Sequence, residues 1–155
     1  MKALLIYNPV AGTRDVEQDL AQAIHALEVE GWQVTMRRTL GRGDATTYAR
    51  EAVAAGYDLC IVAGGDGTLG EAATGLAGSN CPLGLLPVGT GNVWAHMVGL
   101  PVWSPSNRTA LLDTAAILLN GQQRQVDLGQ VKDRCFLLWT GIGFDAEVAR
   151  TIEPH

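Results

Sequence analysis

The run Gly64-Gly65-Asp66-Gly67-Thr68 carries the densest chemistry in this sequence. It follows an apolar stretch, Asp58-Leu59-Cys60-Ile61-Val62-Ala63, and leads into a helix-like stretch over 69–77. Three glycines at a strand-to-helix turn leave backbone N–H groups free to face phosphate oxygens. Thr68 adds a hydroxyl donor. Asp66 can hold Mg²⁺, directly or through water, or orient an attacking hydroxyl. The plainer alternative for Asp66 is a cap on the helix that follows. The run lacks the Gly-Lys-Ser/Thr ending of a Walker loop. It is not Gly-x-Gly-x-x-Gly either, which weakens a dinucleotide-hydride reading.

Two further turns repeat this logic. Asn8-Pro9-Val10-Ala11-Gly12 offers a side-chain amide, a rigid corner and a flexible glycine, although Asn-Pro is also an ordinary turn starter. In Pro87-Val88-Gly89-Thr90-Gly91-Asn92, two glycines flank a threonine ahead of a short helix. Thr90 and Asn92 can bond phosphate, ribose or a neighbouring loop, or Asn92 can simply cap that helix. Other chemistries find little support. No Ser/His/Asp set is legible, and His25 and His96 read as surface or packing residues. Cys60, Cys81 and Cys135 are isolated, with no zinc spacing. They read as structural thiols in a reducing compartment. Trp32, Trp94, Trp103 and Trp139 follow no cage spacing, so packing is their default role. Trp94 and Trp103 lie just past the third turn, where a lipid-facing edge could form.

The elements that must position these turns alternate between strand and helix. Strand signals fall at 3–7, 32–37, 58–63 and 83–86. Between them, Asp15 with Gln18 in capping-box position opens a helix that Gly31 closes. Asp44 caps another over 45–55, with Gly56 after it. A short helix starts near Asn92, and helical spacing predicts a longer one over 106–119, ended by Gly121. This alternation predicts an α/β fold: a doubly wound, mostly parallel sheet with helices on both faces. Ligands bind such sheets at the carboxyl ends of the strands, where all three glycine-bearing turns fall. Beyond Gly121 the pattern changes. Two strands at 125–132 and 135–140, joined by a turn near Asp133, read as a hairpin. The expected division is an α/β domain over 1–121 and the beginning of a second, antiparallel β domain over 122–155.

The 155 residues suit one domain with a real core. Apolar residues make up 47% and charged residues 17%, which excludes a disordered chain. The formal net charge is −5 and no basic stripe appears, which argues against nucleic acid and against a membrane gripped by charge alone. The apolar run at the N-terminus is too short for a signal peptide, and no run approaches the ~20 residues of a spanning helix.

Taken together, these residues resemble the catalytic domain of the diacylglycerol kinase and sphingosine kinase family of lipid kinases, in its bacterial soluble branch. The resemblance rests on six motifs in order. They are Asn8-Pro9-x-x-Gly12, Thr39 followed by Gly43-Asp44-Ala45, Gly64-Gly65-Asp66-Gly67-Thr68, Pro87-x-Gly89-Thr90-x-Asn92, Val126-Asp127-Leu128-Gly129, and Gly141-x-Gly143-Phe144-Asp145-Ala146. Gly-Gly-Asp-Gly alone is shared with NAD kinases and phosphofructokinases; the other motifs select the lipid-kinase branch. The resemblance implies that ATP binds between an α/β domain and a β-sandwich domain and that its γ-phosphoryl group passes to a lipid hydroxyl. It places nucleotide contacts on Asn8, Pro9 and Gly12, on Thr39, on Gly64, Gly65, Asp66, Gly67, Thr68 and Gly70, and on Thr90. The spacing of the third turn adds Gly89 and Asn92. Implied cofactors are ATP and Mg²⁺, with Asp66 as metal and catalytic residue.

Two departures stand out. Val93 and His96 occupy positions where many relatives carry Asp and Arg. The family's general base and further Mg²⁺ acids lie beyond the Gly-x-Gly-Phe-Asp-Ala run, so the expectation is the nucleotide-binding part of a kinase, as a piece of a longer chain or a natural short form. The alternatives are a non-catalytic nucleotide-binding module and an NAD kinase-like enzyme. A cytoplasmic protein with peripheral contact at the inner membrane face fits the lipid substrate, and the hairpin's edges offer a route to a homodimer.

Overall fold

The first apolar run forms β1 (Lys2–Tyr7), and every residue after Lys2 is buried. The computed structural model describes residues 1–138 and 140–152. β1 is flanked by β2 (Gln33–Arg38) and β3 (Leu59–Gly64), and β3 by β4 (Leu83–Pro87). Among the described residues this makes a four-stranded parallel sheet in the order β2-β1-β3-β4. The inner strands are covered on both faces, which is why they read as continuous apolar runs. β2 lies at the edge and buries no residue fully; only Val34 and Arg37 are half-buried.

Alternate residues of each strand feed two cores. Leu5, Tyr7, Ile61 and Leu86 pack against α1 (Glu17–Val29) and α5 (Ala110–Asn120). Leu4, Ile6, Cys60, Val62 and Leu85 pack against α2 (Asp44–Ala54), α3 (Asp66–Leu76) and α4 (Val93–Met97). Burial pushes the Cys60 thiol up to about 12, as suits a packing residue. The chain leaves β1 along one face to reach β2, then crosses back along the other face to β3. The turns after β1 and β3 therefore diverge, and a crevice opens between them.

Helix ends were the least legible feature. Gly31 and Gly56 do end α1 and α2. In each case the glycine N–H and the next residue's N–H bond back to carbonyls of the last helical turn. The starts differ from expectation. Asp15 accepts from the Glu17 N–H at 2.9 Å, but α1 begins at Glu17 with no side-chain cap and, among the described residues, no capping-box bond from Gln18. Asp44 does not cap α2 from outside. It is the first helical residue, and its Oδ2 turns back to the N–H groups of Leu40 and Gly41 at 2.8 and 3.0 Å. α3 starts at Asp66, three residues earlier than expected, because Gly65 already serves as the extended N-cap position. α5 starts at Ala110 instead of 106, because Ser104 and Asn107 close a small bridge of their own first.

The hairpin is present but short. β5 (Gly129–Val131) and β6 (Arg134–Phe136) pair antiparallel around Lys132-Asp133, with Lys132 at φ 55°. Residues 122–128 are not strand, and the expected second strand over 135–140 ends at Phe136; Trp139 within it lies outside the described residues. A helix, α6 (Phe144–Ile152), follows where more β structure was expected.

Candidate functional site

Three turns that are distant in sequence touch one another at the carboxyl edge of the sheet. Asn8, at the end of β1, donates from Nδ2 to the Thr68 hydroxyl oxygen at 2.9 Å, and its Oδ1 accepts from the Val10 N–H at 3.1 Å. One amide thus shapes its own turn and ties it to α3. Thr68 is buried, and its methyl-bearing Cβ fills the space where a side chain at Gly64 would stand, 2.8 Å away. Gly12 has φ 78° and lies against the carbonyl of Val88 so closely that any Cβ would collide with it. Gly65 and Gly89 face each other; a Cβ on Gly89 would lie 2.5 Å from the Gly65 Cα. Glycine at these positions lets three backbones meet, and the same nakedness leaves N–H groups uncovered.

Asp66 does something the sequence had offered only in part. Its Oδ2 accepts from the Val93 N–H at 2.9 Å and its Oδ1 from the Trp94 N–H at 3.0 Å. The carboxylate at the start of α3 therefore caps α4, a different helix across the sheet edge. The alternative reading of Asn92 as that cap does not hold. Asn92 sits in the left-handed region at φ 47°, its Nδ2 donates to the Gly89 carbonyl at 2.6 Å, and its Oδ1 is buried without a partner among the described residues.

A cleft of about 620 Å³ opens above these turns. Its floor is the first part of α3, with Gly65, Gly67 and Thr68. One wall is the turn after β4, with Gly89 and Thr90. The opposite wall is the turn after β2, with Thr39, Leu40, Gly41 and Arg42, and the turn after β1 contributes Asn8, Pro9, Val10, Ala11 and Gly12. Of the candidate residues, Asn8, Pro9, Gly12, Thr39, Gly65, Gly67, Thr68, Gly89 and Thr90 line it. Gly64, Asp66, Gly70 and Asn92 do not. Gly64 lies under Thr68, Asp66 faces α4, a Cβ on Gly70 would meet nothing within 4 Å, and Asn92 is buried behind Gly89.

Glu71 and Arg42 line the cleft and were not anticipated. Glu71 follows Gly67 and Thr68 at helical spacing, a signal that could have found it. Its Oε2 accepts from the Gly43 N–H at 2.9 Å, and its carbonyl accepts from the Thr46 hydroxyl at 2.8 Å. The turn after β2 is thereby fastened to α3. For Arg42 the available signal was its place immediately before Gly43 and Asp44 in that same turn. Among the described residues, no group of three or more His, Cys, Asp or Glu side chains gathers to cage a metal. Nor does any helix have the length and apolarity to cross a membrane. Trp94 packs on the α2–α3 core, and Trp103 lies under the Arg14 guanidinium at 4.4 Å.

A parallel, doubly wound sheet with a glycine-walled cleft at its switch point defines a ligand-binding α/β domain. The particular lineage follows from comparison. Residues 2–131 match the model of the diacylglycerol kinase catalytic domain, and the chain belongs to that family. It is 40% identical over 144 residues to a diacylglycerol kinase of Bacillus subtilis, covering 92% of this chain and 46% of that protein. It is 33% identical over 138 residues to one of Staphylococcus aureus, covering 88% of this chain and 42% of that protein. The crystal structure of a diacylglycerol kinase from Bacillus anthracis superposes with a TM-score of 0.77 at 32% identity, over 96% of this chain and 50% of that one. The chain thus spans about half the length of the relatives it matches.

Proposed function

We propose that this chain is the nucleotide-binding part of an ATP-dependent lipid kinase, one that passes the γ-phosphoryl group of ATP to the hydroxyl of a diacylglycerol-like lipid. The observation that carries the reading is the meeting of Gly12, Gly65 and Gly89, where three side-chain-free backbones surround the start of α3. A helix start with uncovered N–H groups favours phosphate oxygens. Phosphoryl transfer needs mainly positioning and charge stabilisation, which fixed amides supply without reorganising. Gly65, Gly67, Thr68, Gly89 and Thr90 are the proposed phosphate contacts, with Asn8, Pro9, Gly12 and Thr39 shaping the rest of the nucleotide site.

The residues present suit Mg²⁺ carried in on phosphates and water, with few protein ligands, as is usual for this ion. Asp66 lies just outside the cleft lining with two lone-pair positions taken by N–H groups; those remaining would hold the ion, directly or through water. The ion would neutralise charge on the transferred phosphoryl group. A lipid substrate suits a cytoplasmic protein with peripheral contact at the inner membrane face. The exposed Met97 and Val98, just beyond the third turn, support that contact. β6 has its Cys135 backbone groups on Thr74 of α3, so the outer edge of β5 is where a second copy would pair.

Calorimetry with Mg-ATP, beside a transfer assay with diacylglycerol, tests the reading. Micromolar to millimolar binding is expected. No affinity for any adenine nucleotide in folded material would sink it, and phosphorylation of NAD in place of lipid would replace it.

A further inference from the structure

The proposed nucleotide site has to accept three or four negative charges within a chain whose own net charge is −5. Backbone amides and the α3 start offer partial charges only. Among the residues lining the cleft, one bears a full positive charge, and it is Arg42. Five of the nine arginines, Arg42, Arg50, Arg108, Arg124 and Arg134, form no salt bridge among the described residues, and of these only Arg42 lines the cleft. Arg14, Arg37, Arg38 and Arg150 are each paired with a carboxylate. Arg42 forms no salt bridge among the described residues and is exposed. Two carboxylates stand nearby in sequence or space, yet both are engaged with backbone. Glu71 holds the Gly43 N–H, and Asp44 holds those of Leu40 and Gly41. The turn is thus braced at three of its N–H groups while its guanidinium keeps all its donors available.

We infer that Arg42 is the cleft's polyphosphate-binding cation. Its guanidinium makes charge-assisted hydrogen bonds to nucleotide phosphate oxygens from the wall opposite Gly89 and Thr90. The inference rests on the nucleotide reading of the cleft and extends it to a residue outside the three glycine turns. A planar fork with five donors matches two phosphate oxygens at once, which an ammonium does not. Glu71 and Asp44 then act as positioning residues for the turn, holding the arginine's backbone rather than cancelling its charge.

The test compares wild type with Arg42→Gln and Arg42→Lys in calorimetry, using Mg-ATP, ADP, adenosine and inorganic tripolyphosphate as probes. The expected result is a loss of roughly tenfold in affinity for ATP and tripolyphosphate with Arg42→Gln, and a smaller loss with Arg42→Lys. Adenosine affinity and the melting temperature should not move, because Arg42 is exposed and bonds no other described residue. The phosphate-dependent part of binding should also lose salt sensitivity in Arg42→Gln. Equal ATP affinity in wild type and Arg42→Gln overturns this inference while leaving the nucleotide reading intact. An equal loss for adenosine also overturns it, assigning the side chain to base or ribose. A wild-type protein that binds none of the four probes removes the nucleotide reading, and this inference with it.

Discussion

Both carboxylate oxygens of Asp66 hold the turn after β4, and this changes what a substitution there should do. Asp66→Asn keeps the shape but presents an NH₂ group to one of two backbone donors. One N–H of α4 is then left without its acceptor in a half-buried setting, at a cost of about 1–3 kcal/mol. The expected outcome is a lower melting temperature together with weaker binding of ADP in EDTA, because Gly89 and Thr90 lose their anchor. A residue that served only Mg²⁺ would show neither change, since stability and metal-free ADP binding would match wild type. Measuring both quantities for this one variant separates the structural role from the metal role. The glycines of Gly64-Gly65-Asp66-Gly67-Thr68 spoke plainly in the sequence, because backbone access needs missing side chains. The partner of Asp66 did not, because Val93 and Trp94 lie 27 and 28 residues away and offer only backbone.

Between elements, α2 and α3 cross at Gly75. A Cβ there would press on the Thr46 carbonyl and stand 2.7 Å from the Ala49 Cβ. Gly75→Ala should therefore destabilise by about 1–3 kcal/mol through overpacking. It should also weaken nucleotide binding, since α2 carries the turn that holds Thr39 and Arg42. Gly70, one turn earlier in α3, meets nothing within 4 Å. Gly70→Ala should stabilise by about 0.5–1 kcal/mol from helix propensity alone. Because Gly70 does not line the cleft, nucleotide affinity should hold; a fall would restore it to the site. Thermal unfolding and calorimetry on the two variants decide both points. The order of strands and helices was readable because apolar runs and helical spacing differ in period, and the hairpin because Lys132-Asp133 is flanked by strand residues. Helix starts were less so. Asp15, Asp44 and Asn92 are all good caps by type, but tertiary partners claimed the caps' roles or shifted the boundary. α6 was missed because a glycine-rich run precedes it, although its amphipathic spacing was a signal that could have found it. Arg42 and Glu71 escaped because neither belongs to the three turns after β1, β3 and β4 that stood out in the sequence; folding brings the turn after β2 and the second turn of α3 together.

At the level of the whole molecule, the two cores draw almost entirely on residues up to Leu119. Leu137 is the one later side chain packed against them among the described residues. The segment after Gly121 attaches through that leucine and through Thr74, whose hydroxyl accepts from the Cys135 N–H at 3.0 Å and lies 3.4 Å from its carbonyl. It also exposes Ile142 and Phe144, at 84% and 82% of their surface. We take residues 1–121 as an α/β domain and 122–155 as the opening of another, in keeping with a chain that spans about half of its relatives. The prediction is that a protein ending at Gly121 folds. Losing a half-buried leucine and one or two hydrogen bonds costs about 2 kcal/mol against a typical stability of about 5–15 kcal/mol. For a domain of this size, the melting temperature should fall by roughly 5–10 °C while unfolding stays cooperative. Every residue lining the cleft lies at or before Thr90, so Mg-ATP affinity should stay within about threefold of the longer chain's. An unfolded or non-cooperative 1–121 protein would show that the hairpin and α6 belong to the same folding unit as the sheet, and that the boundary at Gly121 is misplaced.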